Sequence, residues 1–195
     1  MDFAAIILAG GKGTRLGEDK PFLLFRGKPL LLHQIEALRK LGLSEIVVAL
    51  GEKRPFPMDL GVQVVEDKFN QKGPLAGIHA GLTAISAPAA LVLACDMPFL
   101  VPDLIHKLFH LSQAKKIAIC LRKGYIEPFP GVYPKLLIPL LEEILREKNW
   151  GVQKFIQSAP HAFLPEEKVC ELDPEGLSFV NINTMAEAKE LLCEP

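Results

Sequence analysis

Directly after a short apolar run, Phe3 to Leu8, the chain reads Ala9-Gly10-Gly11-Lys12-Gly13-Thr14-Arg15-Leu16-Gly17-Glu18-Asp19-Lys20. The apolar run suits one buried strand, and the glycines stop it. Four glycines within eight positions, 10 to 17, let the backbone turn its N–H groups inward and lie against a ligand with no Cβ in the way. Lys12, Arg15 and Lys20 add positive charge. Together these groups make an anion cradle suited to a polyphosphate, whereas an ordinary flexible turn has no need of so many glycines and cations at once. Two common phosphate loops are excluded by spacing. A Walker A loop needs Gly-Lys followed by Ser or Thr, but Lys20 follows Asp19 and precedes Pro21. A dinucleotide fingerprint running from Gly11 and Gly13 needs a third glycine at position 16, which is Leu16.

The rest of the chain says what kind of sheet carries this loop. Glu45 to Leu50, Val62 to Val65 and Ala90 to Ala94 read as strands. Pro29 to Leu41, with the proline in its first turn and Gly42 past its end, reads as a helix, as do Leu75 to Ile85 and Pro102 to Leu111. This alternation predicts an α/β fold on a mostly parallel sheet, and the absence of polar alternation predicts strands covered on both faces. Beyond Ile117 the rhythm loosens. Glu127 to Val132 and Ser178 to Ile182 are expected as strands, and Pro134 to Glu147, Val152 to Gln157 and Ala186 to Leu192 as helices. With 195 residues, no repeat and no linker, one domain over residues 1–195 is expected.

Composition narrows the partners. Hydrophobic residues make up 49% and charged residues 23%, which suits a packed core and excludes a disordered chain. A formal net charge of -1 argues against non-specific nucleic-acid binding, so any phosphate site is built locally. Neither a signal peptide nor an apolar stretch of the roughly 20 residues that span a bilayer is evident, so no membrane is expected. Cys95, Cys120, Cys170 and Cys193 form no C-x-x-C pair, as suits reduced thiols and a cytoplasmic location.

Further candidate site residues follow from the order of strands. Asp96 stands just past Ala90–Ala94, and ligands of open parallel sheets bind outside the carboxyl ends of strands. One carboxylate with phosphate oxygens and waters is a common way to hold Mg²⁺; a cap on the turn before Pro98 is the plainer reading. Asp67 follows its strand in the same way and reads either as a site residue or as a solvated loop carboxylate. Asn181 and Asn183 flank Ile182, so an extended segment would turn both amides one way, toward a polar heterocycle. The same residues could form an Asx turn with Thr184 capping the final helix. His106 and His110, four apart on a helix, lack a third ligand and read as surface residues. Cys95 lacks a histidine in a recognisable pattern and reads as a packed thiol. Trp150 gives no mechanistic signal.

The opening run resembles L-A-G-G-x-x-x-R-[ML]-G-x-x-K, the signature of nucleotidyltransferases with a Rossmann-like, three-layer core, and among them the molybdenum cofactor guanylyltransferase family. Gly73-Pro74-Leu75-Ala76-Gly77 resembles that family's second glycine motif, Cys95-Asp96-Met97-Pro98-Phe99 its metal-binding strand end, and Asn181-Ile182-Asn183-Thr184 its C-terminal motif. The four motifs keep their order over nearly the whole chain. The resemblance implies transfer of GMP from GTP to molybdopterin or its molybdenum form, with release of pyrophosphate. It implies that Leu8, Ala9 and Gly10 bring backbone to the nucleotide, that Arg15 and Lys20 offset triphosphate charge, and that Asp96 holds Mg²⁺. It further implies that Asp67 contacts the nucleotide and that Asn181 and Asn183 meet the pterin. Molybdoenzymes, their chaperones and the molybdenum-insertion enzyme are the implied protein partners. The sequence departs from the family at Gly51, where an asparagine is usual, and at Met185-Ala186-Glu187, where Pro-Glu-Asp is usual. The alternatives are CTP in place of GTP, another small phosphorylated acceptor, or a non-catalytic nucleotide- or cofactor-binding module.

Overall fold

Ala4–Leu8 forms β1, and the apolarity of AAIIL follows from its place: it is hydrogen-bonded on both edges and covered on both faces. Its neighbours are β4 (Ile46–Leu50) and β6 (Ala89–Ala94), both parallel to it, with Ile6 opposite Val47 on one side and Val92 on the other. A computed structural model describes residues 3–10, 20–51, 59–69, 73–147 and 151–182, and of Lys20 only the backbone.

In chain order the remaining elements are a small hairpin, β2 (Leu24–Phe25) and β3 (Lys28–Pro29), then α1 (Leu30–Lys40), β5 (Gln63–Glu66), α2 (Pro74–Ala84) and α3 (Pro102–Ser112). They are followed by β7 (Ile117–Arg122), β8 (Tyr125–Pro134), α4 (Ile138–Arg146), α5 (Val152–Ser158), β9 (His161–Leu164) and α6 (Glu166–Leu172). Among the described residues the main sheet has seven strands, in the order β5-β4-β1-β6-β8-β7-β9. Only β8 runs against its neighbours, so the sheet is mostly parallel, as expected.

Alternate residues of each central strand feed two cores. Ala5, Ile7, Val48, Leu91 and Leu93 pack under α1, α3 and α6, while Ala4, Ile6, Val47, Ala90 and Val92 pack under α2, α4 and α5. A third cluster is small and lies apart: Leu23, Phe25, Leu30 and Ile182, with Phe99 against them.

Several expectations are corrected. Pro29 is the residue before α1 rather than part of its first turn. Ser178–Ile182 is not a strand: Leu177–Phe179 is a 3₁₀ turn, because both carboxylate oxygens of buried Asp173 accept the N–H groups of Leu177 (2.8 Å) and Ser178 (2.9 Å). The helix expected from Pro134 begins as a 3₁₀ turn, Lys135–Leu137, and becomes α-helical at Ile138. β5 is an edge strand with three of its four residues exposed, so the covering of both faces stops short of it. The strand β7, the strand β9 and the helix α6 had no counterpart in the sequence reading. The helix expected at Ala186–Leu192 lies outside the described residues.

Candidate functional site

The crossovers β1–α1–β4, β4–β5 and α2–β6 place the residues that follow β1, β4, β5 and β6 along one carboxyl edge. Main-chain bonds stitch these ends together: Ala9 N donates to Ala49 O (2.8 Å), Asp67 N to Leu50 O (3.0 Å) and Cys95 N to Leu8 O (3.1 Å). Of the nucleotide-side backbone expected here, Leu8 is half-buried, Ala9 buried and Gly10 exposed. Gly10 lies directly against Gly51. A Cβ on Gly10 would fall 2.5 Å from Gly51 N, and one on Gly51 would fall 2.7 Å from Gly10 O. The missing asparagine at 51 is therefore matched by a backbone contact that leaves a side chain no room.

Asp67 meets this edge from the end of β5. Its carboxyl is half-buried, and Oδ1 has no hydrogen-bond partner among the described residues. Burial pushes its pKa up to about 6. A Cβ at Gly77 would sit 3.7 Å from that Oδ1 and 2.9 Å from Leu8 Cδ2, so the first turns of α2 press onto both. α2 begins with Gly73 at φ 62 and Pro74 at its first position, with no side chain among the described residues capping it. Positive φ accounts for the glycine, and the open helix start presents N–H groups toward the carboxyl edge. The loop after Asp67 is held from the other side by His79 on α2, a buried residue missed in the sequence reading. Its ring meets Phe69 edge-on at 5.1 Å, and its Nε2 lies 3.3 Å from Glu142 Oε1 on α4. A lone histidine in a helix otherwise built of small and apolar residues was the available signal.

Asp96 occupies the second corner of a tight turn, Ala94 to Met97, closed by Met97 N donating to Ala94 O (3.2 Å). Its carboxylate is half-buried, and its main-chain O accepts from Ile182 N (2.8 Å). This bond brings the C-terminal motif to the Asp96 turn, and the side chain of Ile182 sinks into the third cluster beside Phe99. Leu23 and Phe25, just beyond the glycine-rich loop, complete that cluster with Leu30, so two sequence motifs and the segment following a third share one apolar knot. Asn181 is exposed beside it. Lys20 opens a 3₁₀ turn, Lys20–Phe22. Lys12, Arg15, the side chain of Lys20, and Asn183 lie outside what the structure describes, so the cation cradle and the second amide are not placed.

The donors at this edge suit a hard cation only with help. No group of three or more His, Cys, Asp or Glu residues sits together among the described residues, yet two carboxylates stand at one sheet edge and Asp67 Oδ1 is buried without a partner. The two carboxylates follow strands three places apart in the order β5-β4-β1-β6, so they do not share one ion; Asp96 alone fits Mg²⁺, which takes one or two carboxylates and completes its shell from phosphate and water. His106 and His110 are exposed on α3 and Cys95 is buried, as expected. A cavity of about 540 Å³ opens at the opposite, amino edge between Phe3, Glu45, Ser86 and Phe109. Of the groups above it is lined by His106 alone, and by none of the carboxyl-edge residues.

Comparison with known proteins agrees with this geometry. The family model described as MobA-like NTP transferase domain matches residues 5–163. The chain is 36% identical over 192 residues to the probable molybdenum cofactor guanylyltransferase of Thermococcus kodakarensis, covering 95% of this chain and 92% of that one. It is 33% identical over 187 residues to the molybdenum cofactor guanylyltransferase of Syntrophotalea carbinolica, covering 93% and 86%. The solved molybdopterin-guanine dinucleotide biosynthesis protein A of Archaeoglobus fulgidus superposes with a TM-score of 0.78 at 25% identity, over 96% of each chain. The 2-C-methyl-D-erythritol 4-phosphate cytidylyltransferase of Thermus thermophilus shares the fold, with a TM-score of 0.69 at 20% identity over 98% and 99%.

Proposed function

Because the chain belongs to the MobA-like NTP transferase domain family, we propose that this nucleotidyltransferase moves GMP from GTP onto molybdopterin, with or without its molybdenum, and releases pyrophosphate. The observation that carries the reading is the meeting of Gly10, Asp67 with Gly77, and Asp96 with Ile182 along one carboxyl edge.

In the reaction, a terminal phosphate oxygen of the acceptor forms a bond to the α-phosphorus. The bond from that phosphorus to the α–β bridging oxygen breaks, and pyrophosphate leaves with the electron pair. Such chemistry asks protein for positioning and charge compensation rather than for a covalent intermediate. The backbone at Leu8, Ala9 and Gly10 lets the nucleotide lie close to β1. Arg15 and Lys20 offset charge on the triphosphate. Asp96 would hold Mg²⁺, and Asp67, beside the start of α2, contacts the nucleotide. That ion supplies Lewis-acid stabilisation of the phosphoryl oxygens. Asn181 and Asn183 face the pterin. We place the reaction in the cytoplasm, with molybdoenzymes, their chaperones and the molybdenum-insertion enzyme as protein partners; among the described residues no helix is long and apolar enough to cross a membrane.

The test is pyrophosphate release with Mg²⁺, each of the nucleoside triphosphates and a panel of phosphorylated acceptors that includes molybdopterin. Release with GTP and molybdopterin alone is expected. Release with CTP moves the protein to the cytidylyl branch, and release with another acceptor changes the substrate. In the same assay Asp96→Asn should lose activity by about 10³-fold, more than Lys20→Ala, with both proteins melting near wild type.

A further inference from the structure

The face that α1 turns to the sheet is apolar at Leu31, Ile35 and Leu38, and Gln34 interrupts it. Gln34 is 0% exposed. Its Nε2 donates to two main-chain carbonyls, Ala94 O at 2.6 Å and Met97 O at 2.8 Å. These are the first and last residues of the turn whose second corner is Asp96. The amide can point only one way, since two carbonyl oxygens need an N–H₂ between them. That choice leaves Gln34 Oε1 buried with no hydrogen-bond partner among the described residues. An apolar residue would spare the helix this cost, so the gain from the glutamine lies in what its nitrogen holds.

We propose that Gln34 is a positioning residue for nucleotidyl transfer: it clamps both ends of the Ala94–Met97 turn and thereby fixes where the Asp96 carboxylate stands. The inference rests on the role proposed above for Asp96. One end of the turn continues β6 and is held by the sheet. The other leads into the loop of Pro98 and Phe99, outside the sheet. The Met97 carbonyl is therefore where a clamp from α1 has most to restrain. Without it the turn keeps its Met97 N–H bond to Ala94 O, and Asp96 gains freedom at the point where small displacements of a ligand are costly in rate.

The experiment compares wild type, Gln34→Met and Gln34→Leu. Both substitutes fill similar volume, donate nothing and remove the orphaned oxygen, and having two guards against one failing to fold. Three readouts are taken: amide hydrogen exchange at Asp96 and Met97, Mn²⁺ affinity in the presence of a non-hydrolysable GTP analogue, and kcat with KM for GTP. We expect melting temperatures near wild type, faster exchange confined to the turn, Mn²⁺ affinity lowered about tenfold or more, and kcat reduced by about 10–100-fold with KM for GTP little changed. Unchanged exchange, Mn²⁺ affinity and kcat in a folded variant, with an active wild type, overturn this inference and leave the proposed function intact. A wild type that neither binds Mn²⁺ with nucleotide nor turns over overturns the function, and the inference with it.

Discussion

A half-buried carboxyl is an expense to the fold, and Asp67 carries one. Its ordinary pKa is 3.8 and burial raises it to about 6, so between those values the folded protein holds more protons than the unfolded chain. Stability from this residue is then greatest below about pH 4, falls as pH rises through the window, and stays lower above it. Asp67→Asn removes the penalty. Thermal melts from pH 4 to 8 should lose that slope, and Tm at pH 8 should rise by about 2–4 °C, the response of a chain this size to ~1 kcal/mol. The same variant should bind GTP more weakly by calorimetry, since the charge is retained for the ligand. A variant with lower Tm and unaltered GTP binding would make Asp67 a structural residue. The sequence alone placed Asp67 after a strand but could not distinguish this from a solvated loop residue. The distinction depends on Gly77 and Leu8 closing over it from elements distant in sequence.

At the scale of elements, α2 shows how a helix is fitted to a strand. A Cβ at Gly81 would lie 2.5–2.8 Å from three atoms of the Ile6 side chain, which is wholly buried. At Gly77 the nearest clash is with the end of half-buried Leu8 at 2.9 Å. Alanine would favour the helix by up to about 1 kcal/mol at either site, but overpacking costs about 1–3 kcal/mol where the neighbour cannot give. Gly81→Ala should therefore lower Tm more than Gly77→Ala, as calorimetric scanning would show, whereas Gly77→Ala should cost more in GTP affinity. The elements that the sequence made legible, β1, β4, β5, β6, β8 and α1 to α5, are those whose periodicity and punctuation agree with their surroundings. The others depend on distant partners. β7 turns into β8 through Lys123 and Gly124, both at positive φ (50 and 76), and lysine is not a residue that announces such a turn. β9 has four residues and, among the described residues, pairs only with β7. The alternation of Phe179-Val180-Asn181-Ile182 suggests a strand, but Asp173 captures the preceding N–H groups, Phe179 and Val180 bond within the turn, and the Ile182 bond to Asp96 ties the segment to the carboxyl edge.

Across the whole molecule, motif order foretold which segments meet, while the means of meeting was hidden: no pattern in the sequence joins Leu23, Phe25 and Phe99 to Ile182. This knot also has a kinetic meaning. It closes a chain loop that spans most of the protein, and its contacts become favourable only after β1, β4 and β6 have paired and set their carboxyl ends side by side. Loop closure of that span carries an entropic cost, and contacts of long sequence separation form late. The sheet should thus assemble as a body without chemistry, and competence to bind nucleotide should arrive as a separate, later event. Pulse-labelled hydrogen exchange during refolding should show protection of Val47 and Val92 amides before that of Ile182, with GTP binding appearing alongside the latter. Simultaneous protection of all three would mean that site and scaffold are one cooperative unit. If they are two, a newly made chain passes through an interval in which it is folded enough to escape degradation and still unable to engage, or squander, its substrates.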